Sequence, residues 1–524
     1  MSAPALPATI QGLLSPEAYP DAVANVELRQ THISYLLFAG DFVYKLKKPL
    51  DLGFLDFTTL EKRRRVCEQE LVLNRRLCDE TYLDVVPIVE ADGGARVGGS
   101  GEPVEYAVKM RRLPDAGMMT GMLERDEVTL DHIAMLARRI AEFHGASERS
   151  DEIDSYGGLE TAMVNWRENF EQTEAYIGRT ITQQQFDEIR SYIEMVAQRD
   201  GPLFAQRVRD GRARDCHGDL RADAVCFVAD GVCIFDCIEF NERFRYSDVA
   251  ADIAFLAMDL EARGRRDLSD ELMSRYLSAT FDSTLPLVLG FYKCYRAYVR
   301  GKVDGFQLDQ PEIAEAQRAA ATEAAQRAFA QAHGYALLPA ERALIIMVGL
   351  TGSGKSHLAN GLAARIGAAV ISSDVVRKRL LGIDPGEARE QPFETGIYAP
   401  EVTERVYTSL LEEARMWLDL GKPVVLDASY LQEAQRAPAA RLADADGVRF
   451  LAVECVVEEA VARERLAARG EEPRGASDGR WEIYQGQAAR SQSPDELRPA
   501  QRMVVDTNEP LVDQIDAVSE KLGF

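Results

Sequence analysis

Gly349, Gly354, Lys355 and Ser356 are spaced as G-x(4)-G-K-[ST] within GLTGSGKS. That spacing suits one kind of chemistry. Glycines let successive backbone N–H groups turn inward around an anion, and the start of a helix adds its positive end. In such a loop Gly349, Thr351, Gly352, Ser353 and Gly354 cradle the phosphates of a nucleotide, ATP or GTP. Lys355 reaches the β- and γ-phosphates, and Ser356 ligates Mg²⁺. The flanks agree, since ALIIMVG before the loop is strand-like and HLANGLAARI after it is helix-like.

Other groups could complete that chemistry. Asp427 closes the apolar run KPVVLD, where a carboxylate would meet the metal. A strand-end Asp also serves as a turn or cap residue. Asp374 and Arg377, in SSDVVRKRL, follow a second strand-like run. A carboxylate at a strand's carboxyl end faces the ligand crevice of a parallel sheet. Asp374 could there take the proton of an acceptor hydroxyl; capping a helix is its other reading. Arg463, Arg465 and Arg469 share the helical VARERLAARG, which could bring a guanidinium, with Arg469 as the candidate, over a transferring phosphoryl group.

A second constellation lies in CHGDLRADAVCFVADGVCIFDCIEF, residues 216–240. In kinase catalytic loops a base Asp precedes a metal-binding Asn by five positions, and a second metal-binding Asp follows on the next hairpin. His217-Gly218-Asp219 supplies the first Asp, and Asp236 stands where the second belongs. The fifth residue after Asp219 is Ala224, which has no ligand atom; Asp223 beside it is the alternative. His217 reads as a loop-packing residue.

On GLTGSGKS, the D-x-x-R of Asp374 and Arg377, VVLDAS and the Arg-rich helix, residues 343–500 resemble the P-loop kinases of the zeta-toxin and polynucleotide-kinase type. That resemblance implies transfer of a phosphoryl group to a hydroxyl, with Asp374 as base and Arg377 as a substrate-binding arginine. Its acceptors differ widely, so no acceptor is implied. On the HGD loop and Asp236, residues 25–300 resemble the aminoglycoside phosphotransferase-like branch of the kinase fold. This second resemblance implies that Lys45 in VYKLKK binds phosphate and that Glu70 in CEQELVLNRRL is its ion-pair partner. Lys45 and Lys47 share a strand face, and only the resemblance favours Lys45. It also implies that Asp248 and Asp252 are structural. The whole chain looks like a bacterial protein in which a phosphotransferase-like domain is fused to an ATP-binding domain.

The elements that must position these groups follow from periodicity. Residues 31–48 read as two strands around Gly40-Asp41, and Thr58 or Thr59 starts a helix running to Leu77. Val104–Leu113 reads as a strand, and 129–146, 160–176, 183–199 and 312–333 as helices. Lys47, Lys48 and the run Lys62–Arg65 read as solvated. From Ala343 strands and helices alternate, which implies a parallel sheet covered on both faces. The expected fold class is an α+β, protein-kinase-like bilobal domain over 1–335, followed by an α/β P-loop domain over 336–524, with the break at His333-Gly334 and Pro339.

Bulk properties narrow the partners. A chain of 524 residues with 46% hydrophobic content suits about two to four globular domains. Its net charge of −24 argues against general nucleic-acid binding. Nucleotide and an unknown hydroxyl-bearing acceptor are the expected partners. No run approaches the roughly 18–20 apolar residues of a membrane span. The eight cysteines form no CxxC pair, and Cys233 and Cys237 read as buried thiols. A reducing, cytoplasmic location is expected.

Overall fold

Alternating residues from Val26 to Lys47 form three antiparallel strands, β1 (Val26–Gln30), β2 (Ser34–Ala39) and β3 (Phe42–Lys47). The β2–β3 turn falls at Gly40, whose φ of +61° suits glycine. The computed structural model describes residues 6–91, 94–310, 313–337, 341–387, 395–469 and 479–524. Contacts divide it into two units, one of residues 1–135, 142–158 and 211–252, the other of 136–141, 159–210 and 253–524.

In the first unit the sheet is completed by β4 (Tyr82–Ala91), β5 (Gly94–Val97) and β6 (Pro103–Arg111), in the order β1-β2-β3-β6-β4-β5. The helix Leu60–Cys78 packs on β4 and β6. The Thr59 hydroxyl caps it by accepting from Lys62 N–H. Its inward stripe includes Glu70, Leu73, Asn74 and Leu77, at three- and four-residue spacing. Arg63, in the run expected to be solvated, is buried instead; its Nε reaches both Glu105 oxygens at 2.9 and 2.8 Å. Further strands are short: β7 (Ala213–Asp215) pairs with β10 (Tyr246–Asp248), and β8 (Val225–Val228) with β9 (Gly231–Ile234). Cys233 in β9 is not a free thiol but forms a disulfide with Cys78, their Cα atoms 4.8 Å apart. Cys237 is a buried free thiol, as expected.

The second unit holds long helices and a sheet. The helix expected over 183–199 runs from Gln183 to Arg209, through Pro202. The helices Arg266–Thr280, Leu285–Phe306 and Glu315–Ala336 follow; the last continues past the break expected at His333-Gly334, and Pro339 lies outside the described residues. Five parallel strands, β11 (Ala343–Val348), β12 (Ala369–Ser372), β13 (Val424–Asp427), β14 (Arg449–Val456) and β15 (Arg502–Asp506), stand in the order β12-β13-β11-β14-β15. Every residue of β11 is buried, as its unbroken apolar run requires of a central parallel strand. The helix Lys355–Ile366 leaves β11 through GLTGSGKS and buries Leu358 and Leu362 in the sheet's core. Its far side meets Arg266–Thr280 through polar pairs. His357 Nε2 lies 3.0 Å from Glu271 and its Nδ1 2.8 Å from the Ser274 hydroxyl, while Asn360 donates to Ser278 at 2.9 Å. Arg365 binds Asp270.

Candidate functional site

The loop between β11 and Lys355–Ile366 has the conformation its glycines permit. Gly349 has φ +146°, and a Cβ there would lie 2.6 Å from the Cys455 carbonyl oxygen. Gly354, at φ +81°, leads directly into the helix. Gly349 N–H donates to Ser429 O at 3.0 Å and so ties the loop to the segment after β13. The Lys355 ammonium donates to Leu350 O at 2.6 Å, over its own loop.

The other expected residues converge here. Asp427 ends β13 and is buried; Asp374 lies in the first turn of the helix Ser373–Leu380 after β12. Lys355, Ser356, Asp374, Arg377 and Asp427 line one cavity of about 620 Å³. Ser356 and Asp427 supply a hydroxyl and a carboxylate oxygen to it, the hard donor set that suits Mg²⁺.

The arginines divide. Arg377 is buried, with Nη1 donating to Ile397 O at 3.0 Å and its guanidinium over the Tyr398 ring at 4.9 Å. Its Nε is shut off from solvent and has no hydrogen-bond partner among the described residues, so the side chain serves as part of the cavity wall. Arg463 stacks over Trp481 at 5.1 Å. Arg465 donates to the Thr507 hydroxyl and carbonyl at 2.9 and 2.8 Å, and that hydroxyl donates to Ser353 O at 2.8 Å. The Arg-rich helix is thereby fastened to the loop. Arg469 ends the helix Glu459–Arg469, and its side chain lies outside the described residues. Sequence reasoning missed Gln487, which also lines the cavity and accepts from Thr351 N–H at 2.8 Å.

In the first unit, Lys45 pairs with Glu70 at 2.7 Å and with Asp236. Lys47, expected in solvent, is fully buried; it pairs with Glu70 at 2.6 Å and with Glu239. The two lysines share Glu70, but only Lys45 also meets Asp236, which separates them as the sequence alone did not. Burial pulls the Lys45 pKa down, yet Asp236 and Glu70 push it further up, so the ammonium stays charged. For Glu70, burial pushes upward and Lys45 and Lys47 pull downward, with a net fall. The Lys45 ammonium beside Asp236 brings that carboxyl down to about 2. Asp236 sits at φ +64°, a strained conformation for a non-glycine residue, with its N–H donating to the Tyr82 hydroxyl at 3.3 Å.

Removing Lys47 should leave Glu239 and Glu70 short of a buried counter-charge. Lys47→Met is expected to destabilise the local structure by about 3–5 kcal/mol, and adding Glu239→Gln should restore part of it. Hydrogen exchange across β3 and the helix Leu60–Cys78 in the full chain measures both.

The HGD loop is held from beneath. Asp252 accepts from the N–H groups of His217 and Gly218 at 2.8 and 2.9 Å, and also meets His144 Nε2 at 3.3 Å. His144, Cys216 and Asp252 lie close enough to hold an ion, but both Asp252 oxygens already receive the loop. Burial lowers the His217 pKa and favours the neutral ring, whose Nε2 lies 2.9 Å from Phe235 O. Asp219 is bridged to Arg221 at 3.2 Å, and Arg221 also meets Asp223 at 2.8 Å. Ala224 is buried. Ala224 offers no ligand atom and Asp223 is paired with Arg221, which leaves Asp236, itself paired with Lys45, as the carboxylate that could take one ion.

The AAA domain family model matches residues 344–494. The chain is similar to GDP-bound aminoglycoside 2'-phosphotransferase-IIIa, at 15% identity over 59% of this chain and 94% of that one, with TM-score 0.40. It is similar to the Mycobacterium tuberculosis APS kinase CysC in complex with AMPPNP and APS, at 21% identity over 36% of this chain and 100% of that one, with TM-score 0.27. Protein Rv2004c of M. tuberculosis is 33% identical over 469 residues, which cover 89% of this chain and 90% of Rv2004c; Mb2027c of Mycobacterium bovis matches to the same extent. The chain belongs to the family of these mycobacterial proteins.

Proposed function

We propose that the chain is a Mg²⁺-dependent phosphotransferase that moves the γ-phosphoryl group of ATP, or of GTP, to a hydroxyl acceptor in its C-terminal domain, residues 336–524. One observation carries this reading: the phosphate loop, Asp427 and Asp374 face a single cavity. Bound Mg²⁺, held by Ser356 and Asp427, would supply charge against the β- and γ-oxygens. Lys355 binds those oxygens, and Asp374 accepts the proton of the attacking hydroxyl. Arg377 forms part of the cavity wall beside Asp374. The test incubates the full chain with γ-labelled ATP and a small-molecule extract. Label should appear in a new product; release of free phosphate alone would sink the reading and favour a hydrolytic switch.

For residues 1–335 the reading is a nucleotide site with one metal, in which Lys45, Glu70 and Asp236 hold the phosphates and the ion while Asp219 faces the reacting group. The Arg221 bridge and Ala224 favour sensing, or slow turnover, over rapid catalysis. In a full-length Lys355→Ala background, nucleotide binding should still strengthen with Mg²⁺, and Asp236→Ala should abolish that Mg²⁺ response. A titration with and without Mg²⁺ decides, since equal responses in both proteins would remove the metal from Asp236. The same reading places the protein in the cytoplasm, with its supply of ATP.

A further inference from the structure

Gln487 has no part in the chemistry above, yet its amide touches the phosphate loop. It lies on the helix Trp481–Ala488 and is half-buried. Thr351 N–H donates to its Oε1 at 2.8 Å. A backbone N–H can only donate, so the atom it meets must be the side-chain oxygen, and the NH₂ end is turned away from Thr351. Gln487 and Arg490 line the cavity together with Lys355, Ser356 and Asp374. Thr351 is the third residue of GLTGSGKS, four before Lys355. The amide is thus anchored by its acceptor at the loop that rings the phosphates, which leaves its two donors for what the cavity holds.

We propose that Gln487 reads the terminal phosphate of the nucleotide: Thr351 fixes Oε1, and Nε2 donates to an oxygen of the γ-phosphoryl group. This rests on the C-terminal nucleotide site proposed above and adds to it a discrimination between nucleoside triphosphate and diphosphate. A neutral donor suits that task, because it meets an anion without the long reach of a full positive charge.

Gln487→Glu supplies the test. The carboxylate keeps the shape and can still accept from Thr351 N–H, but it has lost the donors and sets a negative charge against a negative phosphate. The full chain is titrated with ADP and with a non-hydrolysable ATP analogue, both in Mg²⁺, and the C-terminal site is read as the component of binding that Lys355→Ala removes. Affinity for the triphosphate should fall about tenfold or more, the worth of a hydrogen bond to a charged group, while ADP affinity stays within about twofold. Gln487→Met removes the donors, and with them the oxygen that accepts from Thr351, without adding charge; the triphosphate should still lose more affinity than ADP, by a smaller factor. Parallel losses for both nucleotides would make Gln487 a structural strut and overturn the proposal. No change for either would show that it touches no phosphate. Tighter binding of both would show that the amide competes with phosphate for the loop, which also overturns it. If the unsubstituted protein binds neither nucleotide, the nucleotide site itself fails, a result distinct from any of these.

Discussion

Lys355→Ala should lower nucleotide turnover by the full chain by on the order of a hundredfold or more. Positioning and charge stabilisation carry most of phosphoryl transfer, and the Lys355 ammonium already lies over its own loop, 2.6 Å from Leu350 O. Removing it would leave the loop's other backbone N–H groups to hold the phosphates without that positive charge, those of Gly349 and Thr351 being taken by Ser429 and Gln487. The fold should survive, because Lys355 is only half-buried and the helix it begins is anchored by Leu358 and Leu362. Phosphate release and label transfer, measured side by side, check it. Turnover within a few-fold of the unsubstituted protein would take this loop out of the chemistry.

Asp374→Asn separates binding from transfer. If Asp374 accepts the hydroxyl's proton, the amide should abolish transfer at a loss of roughly 10²–10⁴-fold. Nucleotide affinity should hold within a few-fold, because Asp374 comes from the segment after β12 and the loop comes from the segment after β11. A collapse of nucleotide affinity would instead make Asp374 a metal ligand or a strut. Residual hydrolysis that survives the change would show water attacking in place of the acceptor.

What the sequence made legible was local. GLTGSGKS carries its own geometry in glycines and a following helix, so its place after a buried strand could be read directly. Asp427 and Asp374 were legible because a strand's end is marked by where its apolar run stops. Lys45 and Lys47 were not separable, because two residues two apart on one strand share a face; only packing shows that one meets Asp236 and the other Glu239. Arg63 was misread for the same reason, since a charged run gives no sign of a half-buried Glu105 forty-two residues away. Gln487 left no signal at all. A glutamine in a short polar helix looks like surface until the chain brings it back to Thr351. The helix Glu433–Asp446 was also unread, its Pro438 interrupting a pattern whose apolar face is mostly alanine.

The polar contacts on the far side of the helix Lys355–Ile366 bear on how this protein can be taken apart. Asp270, Glu271 and Ser274 are buried where they meet Arg365 and His357, and His357 is the very next residue after Ser356. A chain cut near residue 335 would keep Leu358 and Leu362 in their sheet but strip these partners away. Ser356, the metal ligand proposed above, would then stand on a rod clamped along one side and loose along the other. An excised C-terminal piece that turns over slowly would therefore report on the cut, and its rate should not be read as that of the whole molecule.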